Sequence, residues 1–224
     1  MLVPIRSVAC LLPLALLVGC ATPGHVRAVK TADRLEDLRA SIEELQNDTT
    51  ATATALADVF ARKDQDAEQA FQELETAVDA LEGSRRRTEG RLESMRQEAD
   101  QYFVTWKEQA STITDQDLKE RSEDRCAKLM NAVERLESTL EPLFAAVDSH
   151  LASFEDTMKY LSIDLTPSSI AGIEGRSKDA NKSAKSIHSK LSTALETLSE
   201  VAPLFTPART SAPRMSEDTS TDTN

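Results

Sequence analysis

The residue with the clearest chemistry is Cys20, a thiol at the end of a short apolar segment. Residues 1–20 read MLVPIRSVACLLPLALLVGC, a front region with one charge, Arg6, followed by an apolar run. That run covers roughly 11 residues, whereas a helix needs about 20 to cross a bilayer. A short apolar run behind a basic residue is typical of a secretory signal. The pattern predicts export of the chain, with residues 1–19 as the signal peptide.

The residues around Cys20 indicate that it is acylated. Leu17-Val18-Gly19-Cys20 resembles the lipobox of bacterial lipoproteins. The resemblance implies that the Cys20 sulfur receives a diacylglycerol and that cleavage leaves this residue first. Cys10 is a poor second candidate because almost no apolar run precedes it, and an ordinary signal with an incidental cysteine is the other alternative. Ala21, rather than an aspartate, follows Cys20, which by the same resemblance favours the outer membrane.

The remaining cysteine and the histidines give little material for catalysis or metal binding. Cys126 falls among apolar residues of a helical pattern, where a lone cysteine usually behaves as a small buried hydrophobe. His25, His150 and His188 show no metal-ligand spacing with each other or with a cysteine. The sequence has no glycine-rich phosphate loop and no nucleophile elbow. We therefore expect a protein that is not an enzyme and has no metal and no cofactor.

A basic segment, residues 83–91 (GSRRRTEGR), is unusual in this acidic chain. It contains two glycines inside a helical pattern, each of which costs ~1 kcal/mol relative to alanine. Arg85 and Thr88 stand where the spacing from Leu81 to Leu92 predicts apolar residues. Leucine at both positions is accordingly expected to tighten the packing.

The same segment is predicted to lie level with Pro142 of the next helix. A tight hairpin turning near residue 114 places residue 86 opposite Pro142, where a backbone hydrogen bond is missing. Glu137 and Glu141 are then the expected partners of Arg85. Two interpretations remain open: a bend lined by ion pairs, and a hinge or docking site for an anionic partner. The candidate residues are Gly83, Arg85, Arg86, Arg87, Thr88, Gly90 and Pro142.

Three aromatic residues, Tyr102, Phe103 and Trp106, are clustered in a chain with only 4% aromatics. The turn that follows them is expected near the membrane, because the first helix starts just after the lipidated residue. Tyr and Trp are common at membrane interfaces. The alternative is that these side chains fill the core between helices.

The composition favours long amphipathic helices as the elements that carry these residues. Charged residues make up 29% of the chain, and Gly and Pro number only 6 and 8. Such a composition is poor in the turn, branched and aromatic residues that β proteins need. Acidic residues outnumber basic ones by 38 to 26, which argues against nucleic-acid binding by bulk charge.

Apolar residues at spacings of three and four predict four long helices between residues 27 and 205. Short connections make neighbouring helices antiparallel, so we expect an all-α, elongated bundle or coiled coil. Thr49, Thr52 and Lys63 weaken the apolar row of the first helix, and a three-helix coil with that helix splayed away is the alternative. Pro167 is expected to begin the fourth helix, and Pro203 and Pro207 to stop it. Residues 20–26 form a tether, and the polar stretch 206–224 is expected to be disordered.

From about Glu98 to Phe205, the chain resembles a family of bacterial lipoproteins known only as a domain of unknown function. The resemblance rests on Asp148, Leu165 and four short motifs: Trp106-Lys107-Glu108, Leu140-Glu141-Pro142-Leu143, Tyr160-Leu161 and Ile170-Ala171. Ser162-Ile163-Asp164 departs from the Lys-His-Asn run usual after the Tyr-Leu pair. The resemblance implies a lipobox and a helical fold. The family has no established activity that could be transferred to this chain.

These observations predict a lipid-anchored protein of the cell envelope, most simply on the periplasmic face of the outer membrane. We expect it to be a structural or adaptor bundle that holds an envelope protein partner. A helical module that binds lipid or another small apolar ligand is the alternative, and it requires a roomy apolar cavity.

Overall fold

The computed structural model of the chain describes residues 24–206, and these residues are almost entirely helical. The helices are α1 (Gly24–Ala61), α2 (Ala67–Ala110), α3 (Gln116–Ile163), α4 (Pro167–Gly172) and α5 (Glu174–Phe205). No strand occurs within residues 24–206. The predicted all-α fold is therefore confirmed. The predicted signal peptide, Cys20 and the tail from residue 207 lie outside the described residues.

The four long helices form an antiparallel bundle in which each helix packs on two neighbours. α1 lies between α2 and α5, and α3 also lies between α2 and α5. With 48 residues, α3 is about 70 Å long at 1.5 Å per residue. The bundle is accordingly elongated, as the short connections predicted.

The core is the apolar row that the spacing of three and four predicted on each helix. Side chains such as Leu38, Leu81, Leu140 and Leu191 are completely buried. Burying a leucine side chain contributes about 1.5–3 kcal/mol, so these rows supply the main stabilisation of the bundle. Leu118 is an exception, since it is 59% exposed near the start of α3.

The alternative with a splayed first helix is wrong, because α1 makes the most extensive helix contact in the bundle, with α2. Thr49 and Thr52, which weaken its apolar row, are fully buried. Their hydroxyls donate to carbonyls of the same helix, from Thr49 to Leu45 O at 2.7 Å and from Thr52 to Asp48 O at 2.6 Å. Hydroxyls bonded in this way can be buried without leaving a polar group unpaired.

Local side chains cap the helices at two of the connections. Asp115 caps α3 by accepting a hydrogen bond from Leu118 N at 3.0 Å. Thr166 caps α4 through Ser169 N, with Pro167 in the first helical turn. Both are arrangements that satisfy free backbone donors at a helix start.

The fourth predicted helix differs from the structure in two respects. It is interrupted at Ile173, whose φ of −112° and ψ of 19° separate α4 from α5. Gly172 and Gly175 flank this point, and glycine has low helix propensity. Of the two prolines predicted to stop this helix, Pro203 lies inside α5, which continues to Phe205 and ends just before Pro207. The helix ends where Thr206 becomes extended, the conformation favoured by a residue that precedes proline.

Within the described part of the chain, none of the helices combines the length and apolar character needed to cross a membrane.

Candidate functional site

The basic segment lies on α2, and its first arginine joins α2 to α3. The Arg85 guanidinium lies 2.9 Å from one oxygen of Asp148 and donates to the other at 3.1 Å. It also donates to Glu89 and stacks 4.1 Å from the centroid of the Phe144 ring. The predicted partners Glu137 and Glu141 were wrong. Arg96 pairs with Glu137 instead, at 2.9 Å.

The two ion pairs connect Arg85 and Arg96 to acidic residues further along α3 than the predicted register gives. The Arg85 guanidinium over the Phe144 ring and the hydrogen bond from Trp106 to Ser122 agree with that register to within one residue. The predicted common level of residue 86 and Pro142 stays a prediction. α3 continues through Pro142 without interruption.

The other arginines of the segment point in different directions and each has an acidic partner. Arg86 pairs with Glu82 of its own helix. Arg87 and Arg91 both reach α1: Arg87 lies 2.8 Å from Glu44, and Arg91 lies 3.5 Å from Asp37. The four arginines therefore do not converge on one surface. This geometry favours ion pairing between helices over docking of an anionic partner, and the hinge stays a prediction.

The apolar row of α2 does not fail in this segment, contrary to the sequence interpretation. Ser84 and Thr88 are both fully buried and continue the row. The Thr88 hydroxyl lies 2.8 Å from Ser84 O and 3.1 Å from Ser41 O on α1. A side-chain hydroxyl reaches a neighbouring backbone carbonyl only where two helices approach closely. α1 and α2 can therefore approach this closely only because the residues between them at Ser84 and Thr88 are small.

The two glycines of the segment differ in the space around them, which gives a direct test. A Cβ added at Gly90 meets nothing within 4 Å, whereas one added at Gly83 lies 3.1 Å from the Arg87 guanidinium. Gly90→Ala is expected to raise the free energy of unfolding by about 0.5–1 kcal/mol, because glycine is the poorer helix former. Gly83→Ala should give less, since Arg87 must shift. Urea unfolding measures both, and a Gly90→Ala variant no more stable than the parent would contradict the prediction.

A surface groove of about 740 Å³ runs between α2 and α3 beside Arg85. This pair of neighbouring helices has the least extensive contact in the bundle. Leu92 and Phe144 line the groove together with Arg85, Arg96 and five carboxylates: Glu89, Glu93, Glu137, Glu141 and Asp148. The cross-helix ion pairs span the groove, so they join the two helices where apolar packing is sparse.

The predicted aromatic cluster lies at the end of the bundle where α1 begins and α5 ends. Tyr102 and Phe103 are buried, with ring centroids 5.7 and 6.4 Å from that of Phe205. Trp106 is half-buried, packs edge-on against Tyr102 and donates from Nε1 to the Ser122 hydroxyl at 2.8 Å. Core filling is confirmed for Tyr102 and Phe103, whereas Trp106 reaches the surface.

An open cup of about 460 Å³ adjoins this cluster, and we call it the end cup. Its wall includes the first turn of α1, the last turns of α2 and the last residues of α5. The lining residues used below are Gly24, Tyr102, Trp106, Ile113 and Phe205. Both ends of the described chain, Gly24 and Thr206, line the end cup.

His150 is the group that sequence reasoning missed. It is 2% exposed inside the bundle and packs edge-on against Phe154 at 4.7 Å. Its Nε2 has no hydrogen-bond partner among the described residues, and burial lowers the pKa of His150 to about 4. The signal was present, because position 150 follows Val147 by three residues in the apolar row of α3.

The other nucleophilic and ligating side chains are dispersed. Cys126 is buried, as predicted, and burial raises the pKa of its thiol. The His188 ring contacts Gln46 and Thr50 of α1. Across residues 24–206, no group of three or more His, Cys, Asp or Glu side chains is placed to hold a metal ion.

The described residues thus define an elongated four-helix bundle with an aromatic end cup. A family model described as "Protein of unknown function (DUF2959)" matches residues 23–202, which cover nearly the whole bundle. The chain belongs to this family. Comparisons with curated proteins and with solved structures give no match to the chain.

Proposed function

We propose that the protein is a lipoprotein of the bacterial cell envelope, acylated at Cys20, that acts as a structural or adaptor bundle without enzymatic activity. One observation carries the proposal: α1 begins at Gly24, four residues after Cys20. An acylated Cys20 would hold the bundle directly at a membrane, with up to about 70 Å of helix leading away from it. Ala21 favours the outer membrane, and the bundle would face the periplasm.

The bundle suits a binding or spacing role because its surface is polar and its interior is packed. Acidic residues exceed basic ones in the chain, so an envelope protein is a more fitting partner than nucleic acid. Co-purification after crosslinking in the intact envelope is the experiment that identifies this partner.

The anchor itself is tested by exchanging Cys20. Cys20→Ala is expected to abolish metabolic labelling with an acyl-chain analogue and to leave an uncleaved or soluble product. Without the thioether there is no diacylglycerol to bury, and each buried CH₂ contributes about 0.8 kcal/mol to membrane binding. Cys10→Ala is the matched control and should be labelled and fractionate like the parent. Labelling that survives Cys20→Ala would overturn the proposal.

A second candidate function, binding of a small apolar ligand, is favoured by the end cup alone. The apolar rows inside the bundle are closely packed, with side chains such as Leu38 and Leu140 completely buried. A ligand would therefore occupy the end of the bundle rather than its interior. Saturable binding of a fluorescent fatty acid by the chain without its lipid would support this function over the adaptor.

A further inference from the structure

The α2–α3 hairpin extends beyond the other helices at the end that carries the end cup. α2 packs on the end of α5 through Phe103 and Phe205, and it then continues seven residues to Ala110. α1 begins beside the Gln109 side chain, because a Cβ added at Gly24 would lie 2.9 Å from its Oε1 atom. At 1.5 Å per residue, the hairpin protrudes by roughly 10 Å past the end of α5 and by less past the start of α1. The result is a step, with the end cup in its corner.

The step exposes apolar side chains that continue the core-facing rows of α2 and α3. Trp106 and Ile113 are half-buried and line the end cup. Leu118 lies one turn before Ser122 on the same face of α3, and it is 59% exposed because α1 and α5 have already ended. These three residues form the hairpin tip surface, whose outer side no other helix among residues 24–206 covers.

The length of the tether between Cys20 and Gly24 limits how far the hairpin tip surface can lie from the membrane. Gly24 lines the end cup, and Cys20 precedes it by four residues, which span at most about 14 Å when fully extended. If Cys20 is acylated, this short tether therefore keeps the end cup and the adjoining hairpin tip surface close to the bilayer that holds the acyl chains.

We propose that the hairpin tip surface, formed by Trp106, Ile113 and Leu118, rests in the interface of the membrane that carries the anchor, an inference that depends on the proposed acylation of Cys20. Contact with the headgroup and upper acyl region of a bilayer lowers the free energy of half-buried tryptophan and exposed aliphatic side chains. The alternative, in which an acyl chain of the anchor leaves the bilayer and enters the end cup, would lower the free energy little, because that acyl chain is already in an apolar medium. Glu108, Asp115 and Asp117 lie among the basic residues of the tip, so the contact does not require anionic lipid.

Trp106 is the single tryptophan of the chain, so its fluorescence reports on this surface alone. The full-length acylated protein would be reconstituted on phosphatidylcholine vesicles, with and without brominated acyl chains. We expect a blue-shifted emission and at least a twofold loss of intensity on the brominated vesicles. Protein that floats with the vesicles while its emission is the same on both lipids would overturn the inference.

Two aspartate variants of α3 provide a matched pair for the same measurement. Leu118→Asp places a charge on the tip surface, whereas Ile163→Asp places one at the opposite end of α3, where the side chain is 85% exposed. Both positions are exposed, so both variants should fold. Leu118→Asp should reduce the quenching of Trp106, and Ile163→Asp should leave it unchanged. Equal quenching in the two variants would overturn the inference.

The failure of the anchor and the failure of the tip contact have different signatures. A mature chain whose mass lacks an acyl group refutes the proposed function, whatever Trp106 does. An acylated chain with unquenched Trp106 refutes only the tip contact. Shielding of Trp106 that occurs in native envelopes but not on pure lipid vesicles would also refute it, in favour of a protein on this surface.

Discussion

His150→Phe is expected to reduce the acid sensitivity of the bundle and to raise its stability at neutral pH. His150 is buried with an unpartnered Nε2, and its pKa is lowered to about 4. The unfolded chain has a histidine pKa of about 6.5 and so binds more protons than the folded chain between these values. The contribution of the neutral His150 ring to the free energy of unfolding is therefore fully present above pH 6.5. It decreases by about 3 kcal/mol as the pH falls towards 4.

Urea unfolding at pH 7 and at pH 4.5 measures this effect. In His150→Phe, the fall in stability between the two pH values should be smaller than in the parent by about 2–3 kcal/mol. Its stability at pH 7 should also rise by about 1 kcal/mol, since no polar atom is left unpaired. His150→Asn is the control, because it cannot titrate in this range but keeps a buried polar group. It should lose the pH dependence without gaining stability at pH 7. An unchanged pH dependence in both variants would refute the assignment.

Thr88→Leu is expected to destabilise the bundle by about 1–3 kcal/mol, the cost of adding volume to a packed interior. Thr88 is fully buried, and its hydroxyl lies 3.1 Å from the Ser41 carbonyl oxygen on α1. A leucine needs the space that the α1 backbone occupies. The sequence pattern alone predicts the opposite sign, because leucine would restore the apolar row between Leu81 and Leu92.

Thr88→Val separates packing from hydrogen bonding in that experiment. Valine keeps the shape of threonine and loses only the hydroxyl, at an expected cost of about 1 kcal/mol. Urea unfolding should therefore rank the parent above Thr88→Val and Thr88→Val above Thr88→Leu. A leucine variant as stable as the parent would mean that α1 and α2 are not closely packed at this level.

The helices and their order could be predicted because they depend on residues close together in the chain. Pro167 lies in the first turn of α4, as its local sequence indicated. The interruption at Ile173 was missed because the apolar spacing continues through it, although the flanking Gly172 and Gly175 weaken the helix. Pro203 was wrongly predicted to end the helix, since a proline in the last turn leaves the helix free to continue to Phe205.

The pairing of side chains between helices could not be predicted in the same way. The position of a residue in the sequence does not show which residue of the next helix lies beside it. That pairing depends on the turn between the two helices and on the angle at which they cross. Arg85 was assigned to Glu137 and Glu141, whereas its guanidinium pairs with Asp148 further along α3. Thr88 and His150 stand at positions that the apolar spacing places in the core, but their contacts there could not be predicted, since those depend on the space that neighbouring helices leave.

The sequence by itself thus determined an all-α chain of four long helices, and it placed a lipobox-like cysteine just before the first of them. Local spacing and capping are sufficient for that, because helix formation is governed by neighbours within about four residues. Only the tertiary structure decided that α1 and α2 approach closely at Thr88, that His150 lies unpaired in the core and that the α2–α3 hairpin protrudes beside Gly24. These features depend on how far one helix is shifted along another, and that shift is set by the packing of side chains distant in sequence.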